Sequence, residues 1–319
     1  MPVLSLAFQM AVFLFIGYWA RKQRIVEEKF SASLASFIFN FVFPCVVINA
    51  LQIDYEPDQV FHSGYLIIIS IITMSIMFGV GSFVNWLGHK QDDMARILLV
   101  NIMFTNFTYM AFPVMESLYG QMGSFYIAVY TIPVRVLFYI ISPLIFSLGK
   151  NGTKIDGKQV ARDAMRALLS PPVIAVPIGL LIYFFRIPVP SPITDVIASL
   201  ARVAAPMGMV LCGVTLAAIP LTKLWREKRI VLITVLRLLI APAIILGIYL
   251  LLSLAFHIDP VVAKVSILYC ALPAAATTTV LAIKAQSDAT RAAQCVFVTT
   301  LFSVITLPVW AKLLEILVH

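Results

Sequence analysis

The chain has 319 residues, of which 61% are hydrophobic and only 12% are charged. A soluble domain of ordinary composition carries about a quarter charged residues, so this chain cannot clothe itself in polar groups and its solvent must be lipid. The formal net charge of +8 does not point to nucleic acid, because the basic residues fall in alternate loops between apolar runs.

A membrane-spanning helix needs about 20 mostly apolar residues. Such runs predict ten spans, over 4–20, 34–51, 65–87, 97–118, 125–148, 168–185, 193–219, 230–256, 261–283 and 295–316. The first has no basic residue before it and "RKQR" directly after it, the reverse of a cleavable signal, so it is expected to stay in the mature protein. The acidic stretch "DYEPD" follows the second run, and the hydrophilic stretch "KNGTKIDGKQVARDAMR" (150–166) separates the fifth from the sixth. Odd-numbered loops hold 17 Lys and Arg residues and even-numbered loops hold 2. That bias places odd loops in the cytoplasm and both termini outside, as expected of a multi-pass protein of the cell (plasma) membrane.

Five spans lie on each side of the central loop, so the second half starts on the opposite face of the bilayer from the first. This is the geometry of an inverted repeat, common in secondary transporters. The expected organisation is a first five-helix repeat over 1–148, a cytoplasmic linker over 149–166 and a second repeat over 167–319. The fold class is an all-α polytopic membrane protein.

The fourth span of each half is interrupted. The fourth overall carries Asn101, Thr105, Asn106, Thr108 and then Pro113; the ninth carries Pro273 followed by Thr277, Thr278 and Thr279. A proline frees a carbonyl in the preceding turn, and lipid offers that carbonyl no partner, so the break is tolerated where it lines a polar cavity. Two such spans crossing at the midplane direct half-helix N-termini, with their partial positive charge, toward one point. Paired interruptions at matching positions are the strongest pointer to a carrier's binding site, and this one suits an anion. Proline and threonine are also common in membrane helices for packing alone, which is the plainer reading of either span by itself.

Arg135, Arg202 and Arg237 fall inside spans, where ionisable side chains are functional candidates by default. Pairing to helix carbonyls is the expectation for Arg237; Arg135 and Arg202 are candidates to meet the substrate. All 15 Asp and Glu residues lie in loops or near span ends, so the deep carboxylates that carry protons or sodium in coupled carriers are missing. An anionic substrate would supply the missing partner. The four cysteines and four histidines show no metal spacing, and no cofactor is expected. HExxH, GxSxG, paired membrane aspartates and an ATP-binding loop are all absent from the sequence, which argues against an enzyme or a directly ATP-driven pump. The sequons at Asn106 and Asn151 are read as chance.

"NFTYMAFPVMESLYG" (106–120) resembles the fourth-span signature of the auxin efflux carrier family, and "NFVFPCVVINAL" (40–51) resembles its second-span proline motif. "LPAAATTTVLAIKAQSDATRAA" and "TLFSVITLPVWAKLL" resemble its last two spans, and the short central loop is similar to that of bacterial members. The resemblance implies a bile-acid-symporter-like fold of two inverted five-helix repeats, with substrate at the crossover of spans four and nine. Asn106, Pro113, Pro273 and Pro44 match the family pattern. Two family glycines fall on Thr108 and Ala111, a span-nine asparagine falls on Thr277, and "AQSD" lacks the usual loop glycine.

The expected function is a secondary carrier for a small organic anion, a carboxylate such as malonate, malate or an auxin-like acid, moved by alternating access. The alternative is a sodium- or proton-coupled antiporter or symporter on the same fold. The candidate site comprises Thr105, Asn106, Thr108, Pro113, Pro273, Thr277, Thr278, Thr279, Arg135 and Arg202. The expected partners are the anion and the bilayer, with no nucleic acid; a homodimer is what the family resemblance implies.

Overall fold

The computed structural model describes residues 2–27, 29–52, 57–88, 92–107, 110–147, 169–217, 228–255 and 258–318, with 158, 161, 162, 165 and 166. Every described element is helical. In chain order these are α1 (Pro2–Lys22), α2 (Phe30–Phe37), α3 (Phe43–Ala50), α4 (Pro57–Leu87), α5 (Asp93–Met103) and α6 (Ala111–Ser147). They continue as α7 (Pro171–Phe185), α8 (Ser191–Arg202), α9 (Ala204–Ala217), α10 (Lys228–Val235), α11 (Ala241–Leu252), α12 (Pro260–Ala271), α13 (Thr277–Lys284) and α14 (Ala289–Leu317). π-helical turns at Ile38–Val42 and Leu236–Ile240 join α2 to α3 and α10 to α11.

Among the described residues six helical stretches are long and apolar enough to cross a bilayer. They are Phe30–Ala50, Gly64–Leu87, Ala111–Phe146, Ser191–Ala217, Lys228–Leu252 and Ala289–Leu317, with Pro171–Phe185 and Pro260–Ala271 as shorter apolar helices. The chain is a multi-pass membrane protein. The predicted fourth and ninth spans are not continuous: helix stops at Met103 and at Ala271, and resumes at Ala111 and at Thr277. Thr108, Tyr109 and most of the 149–166 loop lie outside the described residues.

Proline shapes this all-helical chain without breaking it at random. It stands in the first two positions of α3, α7, α8, α11 and α12, where its missing N–H is no loss. Pro44 and Pro242 each follow a π-helical turn. In an unbroken α-helix Pro242 would have to donate to the carbonyl of Leu238 and cannot; the indole Nε1 of Trp310 donates to it instead, at 2.8 Å.

The chain folds into two compact units, each drawing on both halves of the sequence. The first comprises Met1–Ile67, Thr108–Ile132 and Leu168–Ala218. Its main seam packs α1 along α9. A Cβ at Gly17 would stand 2.1 Å from the carbonyl oxygen of Val210, and one at Gly213 would stand 2.0 Å from that of Leu14. Membrane helices lack a hydrophobic drive toward one another and associate by such close backbone approach. A second seam packs α3 on α7 and α8, with Leu51 against Gly179. Within α6, Gly120 takes φ 60° and ψ −147°, a conformation open to glycine alone, and the helix kinks there.

The second unit comprises Ile68–Phe107, Pro133–Ala167 and Ile219–His319. Here α5 packs against α10, α13 and α14, and α12 against α11 and α14. At its polar end Asp92 caps α5, accepting from the Ala95 N–H at 3.0 Å, and takes two bonds from Arg229 at 2.7 and 2.8 Å. Partial burial alone would raise the Asp92 pKa, but the Arg229 hydrogen bond and charge outweigh it, and the carboxyl is held below its ordinary value.

Candidate functional site

The candidate site lies in the second unit, where the two interrupted helices meet. After Met103 the chain turns extended, with Phe104 at φ −113° and ψ 125°. After Ala271 it does the same, with Leu272 at φ −64° and ψ 148°. The two extended stretches run antiparallel and form a β-type bridge between Thr105 and Ala274. The Asn106 N–H donates to the Pro273 carbonyl at 2.7 Å, and the Ala275 N–H donates to the Phe104 carbonyl at 3.3 Å. Each break therefore supplies partners to the other, which the sequence of either alone cannot do.

Two side chains complete the pairing. Thr299 on α14 accepts the Ala274 N–H at 3.1 Å and donates back to the Cys295 carbonyl at 2.7 Å. Arg237, on the π-helical turn, donates Nε–H to the Leu272 carbonyl at 3.1 Å and Nη1–H to the Ile102 carbonyl. The backbone groups freed by interruption are thus answered inside the protein, as the absence of water in a bilayer demands.

Around this crossing the residues are almost fully shielded. Asn101, Thr105 and Thr278 show 0% exposure and Asn106 2%. Phe138 packs edge-on against both Phe104 and Phe107, with ring centroids 5.1 and 5.5 Å away. The Arg135 guanidinium lies 5.3 Å from the Phe107 ring centroid, a cation–π contact that holds a 3% exposed cation against the break. The amide of Asn101 and the hydroxyl of Thr278 are buried with no hydrogen-bond partner among the described residues.

The structure brings together Thr105, Asn106, Pro273 and the start of α13 at Thr277, Thr278 and Thr279, with Arg135 beside Phe107. It places Pro113 and Arg202 in the first unit. Pro113 stands in the first turn of α6, after the interruption rather than at its centre. Arg202 is exposed in the last turn of α8, where a cation complements the helix dipole. Thr108 lies outside the described residues. The expectation that Arg237 pairs with helix carbonyls is met by one of its acceptors, Ile102 in α5; the other, Leu272, lies in the extended stretch just after α12. Thr299 was missed: a single threonine in an apolar run carries no pattern, and only its place opposite Ala274 shows its use.

A protein of Methanothermobacter thermautotrophicus (strain ATCC 29096 / DSM 1053 / JCM 10044 / NBRC 100330 / Delta H), described as an uncharacterized transporter, is 26% identical over 309 residues, covering 95% of each chain. The profile of the membrane transport protein family matches residues 2–311, essentially the whole length over which the motifs of spans two, four, nine and ten were read. The chain belongs to that family, the auxin efflux carrier-like group its motifs resemble.

Proposed function

We propose that the protein is a secondary carrier for a small organic anion, a carboxylate of the malonate, malate or auxin-like kind, moved by alternating access at the crossing of the two interrupted helices. The observation that carries this reading is the reciprocal pairing of Phe104–Asn106 with Pro273–Ala275. That pairing joins the main chain of Asn106 to Pro273, four residues before the threonines that open α13. Helix amino ends and amide donors favour a carboxylate, and Arg135 adds a full positive charge nearby. The buried Asn101 amide and Thr278 hydroxyl lack protein partners among the described residues, and a polar ligand is what such groups need.

The proposed architecture is ten spans in two inverted repeats, 1–148 and 167–319, joined by a cytoplasmic linker over 149–166, with both termini outside the plasma membrane. Packing in the first unit supports it. The first span packs on the seventh, and the second on the sixth; exchanging the two halves turns one pair into the other. The second unit likewise takes its interrupted helices from the fourth span of each half.

The test is binding of malonate and a panel of carboxylates to the purified carrier by thermal shift and calorimetry, with Asn106→Ala alongside. A saturable rise in Tm with a carboxylate, weakened in the variant, is the expected result. Indifference to every anion in the panel refutes the reading.

A further inference from the structure

We propose that the Arg237 guanidinium stands where a coupling cation would sit: a built-in positive charge between the carboxyl ends of the two interrupted helices that makes sodium unnecessary at the crossing. The inference rests on the anion-carrier reading and deepens it.

α5 and α12 both end at the crossing, and the last carbonyls of a helix have no partner within it. Each carboxyl end carries about half a negative charge, so two of them together present about one. In carriers with interrupted helices such ends coordinate the driving cation, while the amino ends of the following half-helices face the anionic group of the substrate. Here the place beside the Ile102 and Leu272 carbonyls is taken by a side chain of the same molecule.

Arg237 is suited to this by geometry and by chemistry. It is 0% exposed and lies on a π-helical turn, whose extra residue re-aims the side chain toward the crossing. The planar fork reaches Ile102 in the last turn of α5 and Leu272 just beyond the end of α12 at once, which a lysine point charge cannot reproduce. The guanidinium is covalently part of the chain, so it does not dissociate during a transport cycle. With the negative carboxyl ends balanced from within, the positive amino end of α13 is left unopposed. That asymmetry turns a crossing of two helices, which by symmetry would hold a cation and an anion alike, into a site for an anion alone. The scarcity of deep carboxylates follows from the same arrangement, since no ion has to be bound and released there.

The test uses the purified full-length wild type, Arg237→Lys and Arg237→Gln. Tm is titrated with sodium chloride against choline chloride at equal ionic strength, and uptake of radiolabelled malonate into proteoliposomes is measured in the two salts. The wild type is expected to show the same Tm and the same uptake in both. Arg237→Gln is expected to lose about tenfold or more of its uptake and to gain a saturable, sodium-specific rise in Tm; Arg237→Lys should fall between. A saturable sodium-specific shift in the wild type overturns the proposal, as does a folded Arg237→Gln with wild-type uptake. If Arg237→Gln does not fold, the wild-type and Arg237→Lys titrations decide. Those titrations need no substrate, so a carrier that ignores malonate refutes the carboxylate reading without touching the role of Arg237.

Discussion

Asn106 and Thr299 are both buried polar residues beside the crossing, and they are expected to fail in opposite ways. Asn106→Ala removes an amide that the proposed carboxylate uses. Malonate affinity should fall by about 1–3 kcal/mol, the value of a hydrogen bond to a charged group, and calorimetry reads it directly. The Asn106 main-chain N–H keeps its bond to Pro273, so stability should fall much less than affinity. Thr299→Val instead leaves the Ala274 N–H without its acceptor. The unpartnered donor costs about 1–3 kcal/mol of stability, and a lowered Tm without ligand is the expected reading. If the two variants lost stability equally, Asn106 would be a packing residue. Asp92 adds a pH dependence at the polar end of α5. Its folded pKa lies below the ordinary aspartate value, so the stability it contributes is fully present above that ordinary value. It disappears as pH falls through the lower, folded one. Asp92→Asn should flatten this acid limb in a Tm-versus-pH series.

Helix interruption and helix seams account for most of what the elements do. Pro113 has no N–H to donate into a helix continued toward the amino end, and it stands in the first turn of α6, where that loss is tolerated. Pro113→Ala is expected to make a continuous helix less costly and so to slow malonate uptake while part of the binding survives; initial rates and calorimetry separate the two. The seam between α1 and α9 depends on two glycines. A side chain at Gly17 would overlap the Val210 carbonyl, so Gly17→Val should cost about 1–3 kcal/mol by overpacking. A lower Tm, with unaltered affinity in the protein that remains folded, is the result to look for. The existence and order of these elements are legible in the apolar runs, whereas their exact breaks are not. The fourth span, 97–118, reads as interrupted from its proline and polar cluster, but hydropathy does not register where a backbone leaves helical geometry inside an apolar run, so the limits of the break at Met103 and Ala111 are not legible. Proline gave the approximate place of each interruption but stands after one and within the other.

At the scale of the whole molecule, orientation is the property charge alone argues. Cysteines introduced at Gly152 and at Asp54 in intact cells should react with a membrane-impermeant maleimide only at position 54. Labelling at 152 would reverse the proposed topology, and with it the assignment of the central loop to the cytoplasm. The division into two units is a different kind of property. Each unit gathers residues from both halves of the chain, so no boundary drawn along the sequence can separate them.

Membrane residence, the approximate spans and the two interrupted helices were all determined by the sequence, because each follows from local chemistry: apolar length, basic flanks, and a proline that cannot donate. The family likewise was carried by short contiguous motifs around Asn106, Pro44 and Pro273. Tertiary structure alone decided how the freed backbone groups are answered. Ile102, Leu272 and Leu238 find their donors on Arg237 and Trp310, and Ala274 its acceptor on Thr299, between 25 and 135 residues away. A run of sequence specifies that such a group must be satisfied in lipid, but only the packing of distant helices determines by whom.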